Sequence, residues 1–176
     1  MSTPETLPLH ATGRAWVFRG QVTTDDMFPG FAMKLPIPEA AAHVMSDLRP
    51  GWAQSVRTGD ILVGDTNFGL GSSRPVPLLL RELGIAGLVA ERFNSLFLRN
   101  CINYGLPALA VPGILDLVKE GGQVDVDVAG ATITDLESGR MLKGAVYPDF
   151  ILEILQRGGL LKQLEEDGFL SASTPD

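Results

Sequence analysis

The sequence contains very little cysteine and histidine. Cys101 is the only cysteine among 176 residues, so the chain has no thiol pair for an internal disulfide and too few thiolates for an iron–sulfur cluster. The two histidines, His10 and His43, lie outside any recognisable motif. We therefore predict no catalytic role for these three residues and expect Cys101 to pack as a small buried side chain.

Clusters of positive charge and long apolar runs are also missing. Lysine and arginine number 14 against 21 acids, which gives a net charge of −7, and they are scattered singly along the chain. This balance opposes binding to nucleic acid or anionic membranes. The longest apolar runs, 85–90 and 106–112, are far shorter than the roughly 20 residues of a spanning helix, and the first residues do not resemble a secretory signal. We expect a cytoplasmic protein without nucleic-acid or membrane partners.

The composition is that of one folded domain, with 45% apolar and 20% charged residues. We predict a single domain over 13–168, with flexible segments at 1–12 and 169–176. Between 60 and 111 strand-like and helix-like patterns alternate, which indicates α/β packing. The predicted elements are strands at 14–19, 60–64, 85–90 and 106–111, helices at 36–48, 76–83 and 93–104, a hairpin of 123–128 with 131–134, and a terminal helix over 149–167 interrupted at 158–159. The economical reading is a mixed sheet with helices on one side.

The sharpest feature is a glycine-rich loop, residues 69–74 (GLGSSR), which we call the site loop. Gly69 and Gly71 permit a tight turn close to a ligand. Ser72 or Ser73 is expected to cap the following helix, with Pro75 in its first turn. The helix end and the forked guanidinium of Arg74 would then bind a carboxylate or phosphate.

A purely structural role as a turn and helix cap is the alternative for this loop. The dinucleotide-binding pattern G-x-G-x-x-G fails because Arg74 stands at the third glycine. The phosphate-binding Gly-Lys-Ser and the nucleophile elbow G-x-S-x-G are absent from the sequence.

The segment DILVGDTNFGLGSSR, residues 60–74, closely resembles the active-site segment of the swivelling domain of the aconitase superfamily. The resemblance is nearest to the small subunits of isopropylmalate isomerases (3-isopropylmalate dehydratases) and runs over roughly residues 13–162. The other segments that carry it are 13–18 (GRAWVF), 23–25 (TTD), 90–97 (AERFNSLF), 100–107 (NCINYGLP) and 154–160 (ILQRGGL).

The resemblance implies a swivelling β/β/α fold with a partly barrel-like mixed sheet. It also implies a hydro-lyase that dehydrates and rehydrates hydroxy di- or tricarboxylic acids, with a [4Fe–4S] cluster on a separate large subunit in a heterodimer or heterotetramer. Ser72 would be the base that removes a proton beside a carboxylate. Ser73 and Arg74 would hold carboxylate oxygens, with Gly69 and Gly71 shaping the loop.

The resemblance also assigns roles to two further segments. Asp25, in the Thr-Thr-Asp loop (residues 23–25), would orient a base on the partner; a helix cap or a solvated turn acid is the alternative. Asp26 is expected to be a surface residue. Phe31–Lys34 matches the family's substrate-selecting loop, where apolar side chains would receive an alkyl group and Lys34 a carboxylate.

The sequence departs from the family pattern after Arg74, where Pro75-Val76-Pro77 replaces the usual Glu-His. The most direct substrate expectation is the interconversion of 3- and 2-isopropylmalate in leucine biosynthesis. A related alkyl-malate or a homocitrate-like acid also fits. A stand-alone module that binds small carboxylates or assembles a complex remains the alternative to catalysis.

Overall fold

The computed structural model describes residues 7–71 and 74–171 and contains one seven-stranded mixed sheet. The strand order is β4-β3-β2-β1-β5-β6-β7. The first four of these pair in parallel and the remainder antiparallel. The strands are β1 His10–Val17, β2 Ile61–Gly64, β3 Gly87–Ala90, β4 Ala108–Ala110, β5 Gln123–Asp127, β6 Thr132–Asp135 and β7 Met141–Lys143. The site loop therefore follows the carboxyl end of a central parallel strand, where α/β sheets commonly bind ligands.

Eight helices surround the sheet in the described part of the chain. They are α1 Thr24–Met27, α2 Ile37–Ala41, α3 Trp52–Ser55, α4 Val76–Glu82, α5 Ser95–Asn103, α6 Ile114–Leu117, α7 Asp149–Gln156 and α8 Leu160–Glu166. Gly158 and Gly159 both have positive φ and separate α7 from α8, which confirms the predicted interruption. None of the helices in 7–71 and 74–171 is long and apolar enough to cross a bilayer.

The central parallel strands are buried on both faces. In β2, Leu62 packs in one apolar cluster, whereas Ile61 and Val63 pack in the other. The first cluster includes residues of α4 and α5, and the second includes residues of α6 and α7. Helices therefore cover both faces, and the expectation of helices on one side was wrong. A parallel sheet requires this arrangement because its crossover connections place apolar strands between two layers.

The two edges of the sheet are connected through the segment that follows β7. The N–H of Ala145 donates to the carbonyl of Ala110 in β4 (2.9 Å), and the Tyr147 hydroxyl donates to the carbonyl of Ala108 (2.7 Å). These contacts join the segment after one edge strand to the other edge strand. The mixed α/β, partly barrel-like fold is thus confirmed as a curled half-barrel.

Several element boundaries differ from the predictions. The first strand begins at His10 rather than at the predicted residue 14, because His10–Thr12 pairs with Asp125–Asp127 of β5. The helix predicted over 36–48 is regular only to Ala41, and Met45 beyond it has a φ of 62°. The three-residue strand β7 was not predicted, since it is too short to show an alternating pattern.

Candidate functional site

The site loop runs alongside the Thr-Thr-Asp loop. The N–H of Gly69 donates to the carbonyl of Val22, and the N–H of Thr24 donates to the carbonyl of Leu70, both at 2.9 Å. Thr23 and Leu70 form an isolated parallel bridge. Two segments more than 40 residues apart in sequence, both expected in the site, are therefore held together by backbone hydrogen bonds.

Both glycines of the loop are required by contacts within the protein. Gly69 has a φ of 84°, and a Cβ there would lie 2.2 Å from the ring of Phe97. Gly71 has a φ of 132°, and a Cβ there would lie 2.6 Å from Oγ1 of Thr24. Because they have no side chain, the loop can pack onto α5 and α1. The sequence predicts glycines that allow close approach of a ligand, but it does not predict these contacts within the protein.

Arg74 is fixed by the segment around α1. Its Nη2 lies 2.7 Å from Oδ1 of Asp25, and its Nη1 donates to the carbonyl of Phe28. The side chain of Arg74 is 19% exposed and that of Asp25 is 71% exposed. Asn100 of α5 donates from Nδ2 to the Arg74 carbonyl (3.4 Å). The guanidinium is thus oriented before any ligand arrives.

Asp25 is not the cap of α1. The Thr23 hydroxyl accepts from the N–H of Asp26 (3.1 Å), and the Asp26 carboxylate accepts from the N–H of Thr23 (2.9 Å). Asp26 is therefore half of a capping box, a role that its prediction as a surface residue did not include. With the cap supplied by its neighbours, Asp25 is available to pair with Arg74.

The serine N-cap predicted for α4, the helix after the loop, was also wrong. Pro75 occupies the N-cap of α4 and makes no side-chain cap, and Pro77 lies in the first turn without an N–H. The N–H of Val76 donates to the Arg74 carbonyl, and those of Leu78 and Leu79 donate to the Pro75 carbonyl. Since every N–H of this turn is absent or already bonded, the start of α4 has no free donor for an anion.

Comparison with known proteins connects this geometry to a family. Residues 44–113, which include β2, the site loop and α4, match the model of the aconitase C-terminal domain. The chain is 39% identical over 158 residues to a 3-isopropylmalate dehydratase small subunit of Methanopyrus kandleri, and covers 93% of it with 89% of its own length. The chain belongs to the 3-isopropylmalate dehydratase small-subunit family.

Other members of this dehydratase small-subunit family have different named activities. An isopropylmalate/citramalate isomerase small subunit of Methanocaldococcus jannaschii is 41% identical over 88% of this chain and 93% of its own. The 2,3-dimethylmalate dehydratase small subunit of Eubacterium barkeri is 34% identical over 89% of this chain and 97% of its own. The crystal structure of a 3-isopropylmalate dehydratase from M. jannaschii superposes with a TM-score of 0.82 at 30% identity, over 91% of this chain and 96% of that one.

Ser72 and Ser73 lie outside the described residues, between Gly71 and Arg74. The roles predicted for them as base and carboxylate ligand stay predictions. Lys34 is exposed at the end of a 3₁₀ turn, Gly30–Lys34, and makes no ion pair within 7–71 and 74–171. Its predicted contact with a substrate carboxylate is likewise a prediction.

The residues of this chain do not fit the iron–sulfur cluster that the family resemblance implies. Such a cluster needs several thiolates, whereas Cys101 is the only cysteine, is fully buried, and has a thiol pKa raised by burial. Among the described residues, no three His, Cys, Asp or Glu side chains gather in a way that could hold a metal ion.

Two groups at the site were not predicted from the sequence. One is the Phe28 carbonyl, which holds Arg74 and which no residue-type pattern reveals. The other is Thr24, which is 1% exposed and whose side chain lies against Gly71. Its place within the Thr-Thr-Asp motif was the available signal.

Proposed function

We propose that this chain is the small subunit of a heteromeric hydro-lyase that interconverts hydroxy acids by dehydration and rehydration, with 3-isopropylmalate or a related alkyl-malate as substrate. One observation carries the proposal: Arg74, the last residue of the glycine-rich site loop, is held in place by Asp25 and the Phe28 carbonyl. A guanidinium fixed in this way is suited to grip a carboxylate through parallel hydrogen bonds.

The proposed chemistry divides the work between this chain and its partner. Ser72 removes the proton from the carbon beside a carboxylate, while Ser73 and Arg74 hold that carboxylate. A hydroxyl is a poor base near neutral pH, so its ionised form needs stabilisation in a water-excluded site. The first turn of α4 has no free N–H to contribute, so Arg74 and groups of the large subunit provide the stabilisation. A [4Fe–4S] cluster on the large subunit would supply the Lewis acid that binds the substrate hydroxyl.

Exposed apolar side chains next to the site favour an alkyl-malate over an acid with a further carboxylate. Phe31 and Met33 are 63% and 52% exposed on the 3₁₀ turn that follows the Phe28 carbonyl. Large apolar side chains in this position can contact an alkyl group. Lys34, at the end of the same turn, is proposed to meet a substrate carboxylate.

The same region is proposed to contact the large subunit. Leu70 of the site loop and Leu96 of α5 are also partly exposed, at 36% and 39%. Leu96 adjoins Phe97, whose ring packs against Gly69. Exposed apolar residues on both sides of the loop are typical of a surface that a partner covers, and covering it would exclude water from Ser72 and Arg74.

Reconstitution under anaerobic conditions tests the proposal. We would assay this chain alone, the cluster-loaded large subunit alone and the mixture, following alkene absorbance with 3-isopropylmalate, citramalate, 2,3-dimethylmalate and homocitrate. The expected result is turnover only in the mixture, and fastest with an alkyl-malate. A stable complex with an intact cluster and no turnover of any of these acids would contradict the proposal and favour the binding-module alternative.

Replacing Arg74 with lysine tests its role in binding. Lysine keeps the charge but has no forked donor, so it cannot contact Asp25, the Phe28 carbonyl and a carboxylate together. We expect KM to rise about 10- to 100-fold, since hydrogen bonds to charged groups contribute roughly 1.5–3 kcal/mol. Arg99→Lys, at an exposed position of α5, is the matched control. Equal KM values for wild type and Arg74→Lys would remove Arg74 from the binding site.

A further inference from the structure

The Thr24 hydroxyl is unusual in the packing of the site. Thr24 is 1% exposed, and its Oγ1 has no hydrogen-bond partner within the described part of the chain. Burial of a hydroxyl without a partner is unfavourable, and valine would fill nearly the same space without that cost. A threonine here indicates that the hydroxyl is used in a state other than the isolated chain.

This hydroxyl lies directly against the site loop. The Thr24 N–H is bonded to the Leu70 carbonyl at 2.9 Å, which fixes the two backbones to each other. Oγ1 blocks the space beside Gly71, since a Cβ there would lie only 2.6 Å from it. The next residue along the loop is Ser72.

The helix does not require the Thr24 hydroxyl. The capping box of α1 is made by Thr23 and Asp26, and Thr24 contributes only its backbone N–H to the neighbouring loop. The two adjacent threonines therefore differ. The Thr23 hydroxyl is hydrogen-bonded within α1, whereas the Thr24 hydroxyl faces the loop and has no partner among the described residues.

We propose that Thr24 is a positioning residue of the hydro-lyase site. When the large subunit covers the site, the Thr24 hydroxyl donates a hydrogen bond to the backbone of the site loop at Gly71 and fixes the loop for proton transfer by Ser72. Thr24 acts through the loop and does not touch the substrate. This inference rests on the proposed function. The Thr24 hydroxyl would affect turnover only in the assembled enzyme.

The test compares Thr24→Val and Thr24→Ser with wild type, in the isolated chain and in the reconstituted enzyme. For Thr24→Val we expect a urea midpoint in the isolated chain equal to or above that of wild type, because no hydrogen bond is lost there and a buried hydroxyl without a partner is removed. In the reconstituted enzyme we expect kcat to fall about 10- to 100-fold, the scale of a misplaced catalytic group, with KM unchanged. Thr24→Ser, which keeps the hydroxyl, should recover most of kcat. Thr134→Val, in β6 and outside the site, is the matched control.

Hydrogen exchange provides a readout that does not depend on turnover. In the complex with the large subunit, we expect the amides of 69–71 to exchange about tenfold faster in Thr24→Val than in wild type. An inactive wild-type complex would contradict the proposed function, and the exchange comparison would still decide the role of Thr24. Wild-type kcat and exchange in Thr24→Val, a lower urea midpoint in the isolated variant, or failure of Thr24→Ser to recover kcat would each overturn the inference.

Discussion

Ser72→Ala should lower kcat of the reconstituted enzyme by about 10²–10⁴-fold, the usual contribution of a general base. The hydroxyl is proposed to act on the proton that leaves in the transition state, so KM should change little. The neighbouring Arg74, already paired with Asp25, would keep the substrate carboxylate in place in the variant. The measurement is steady-state kinetics with 3-isopropylmalate under anaerobic conditions.

Ser73→Ala is the matched comparison, because it removes a hydroxyl one residue away. Its proposed role is to hold a carboxylate oxygen, so its main effect should be a higher KM rather than a lower kcat. Assembly of each variant with the large subunit would be checked by co-elution in size-exclusion chromatography. Turnover retained in Ser72→Ala, with normal assembly, would eliminate Ser72 as the base.

The elements predicted correctly from sequence are those with strong local patterns. The apolar spacing of Val76, Leu79 and Leu80 produced α4, and these side chains are fully buried. The alternating pattern over 123–128 and 131–134 predicted the antiparallel pair β5 and β6. In both cases the side chains that face the core repeat with the period of the element, so the sequence contains the necessary information.

The start of α4 shows where local reasoning failed. Two serines shortly before Pro75 suggested a serine N-cap, but Pro75 itself occupies that position and Pro77 follows in the first turn. The apolar spacing of a helix locates its buried face, whereas its first residue depends on backbone hydrogen bonds that side-chain patterns do not reveal. The expected helix-end anion site was wrong for this reason.

Contacts between distant segments could not be predicted from spacing. Arg74 pairs with Asp25, 49 positions earlier in the chain, and Gly69 packs against Phe97. The family resemblance placed the two loops in one site, but it did not indicate that Asp25 would orient Arg74. These details depend on how α1 and α5 pack around the carboxyl end of β2.

Asp60→Ala should cause the largest loss of stability, about 3–5 kcal/mol in the free energy of unfolding, as expected for removing one partner of a buried ion pair. Asp60 is 3% exposed and precedes β2. Its Oδ2 accepts from Arg14 Nη2 (2.7 Å), Trp16 Nε1 (2.7 Å) and the N–H of Arg57 (2.9 Å). Alanine would leave all three donors without this acceptor, which weakens the junction of β1 with β2.

Urea denaturation would measure this loss, with Asp47→Ala, at an exposed turn position, as the control expected to stay within about 0.5 kcal/mol of wild type. A loss below 1 kcal/mol in Asp60→Ala would show that the three donors find other acceptors or water.

The pH dependence of the Asp60 contribution has a definite sign. Burial raises the pKa of this carboxyl, but hydrogen bonds from Arg14, Arg57 and Trp16 outweigh burial, and the net pKa is lowered. A carboxyl with a lower pKa in the folded state binds fewer protons there than in the unfolded chain. It therefore stabilises the fold above the unfolded pKa of about 3.9, and this stabilisation is lost as pH falls through the folded pKa.

The stability difference between wild type and Asp60→Asn should accordingly be greatest near neutral pH and shrink below about pH 4. A difference that stayed constant from pH 7 to pH 3 would mean that the charge of Asp60 contributes nothing, and that only the shape and hydrogen bonds of its side chain matter.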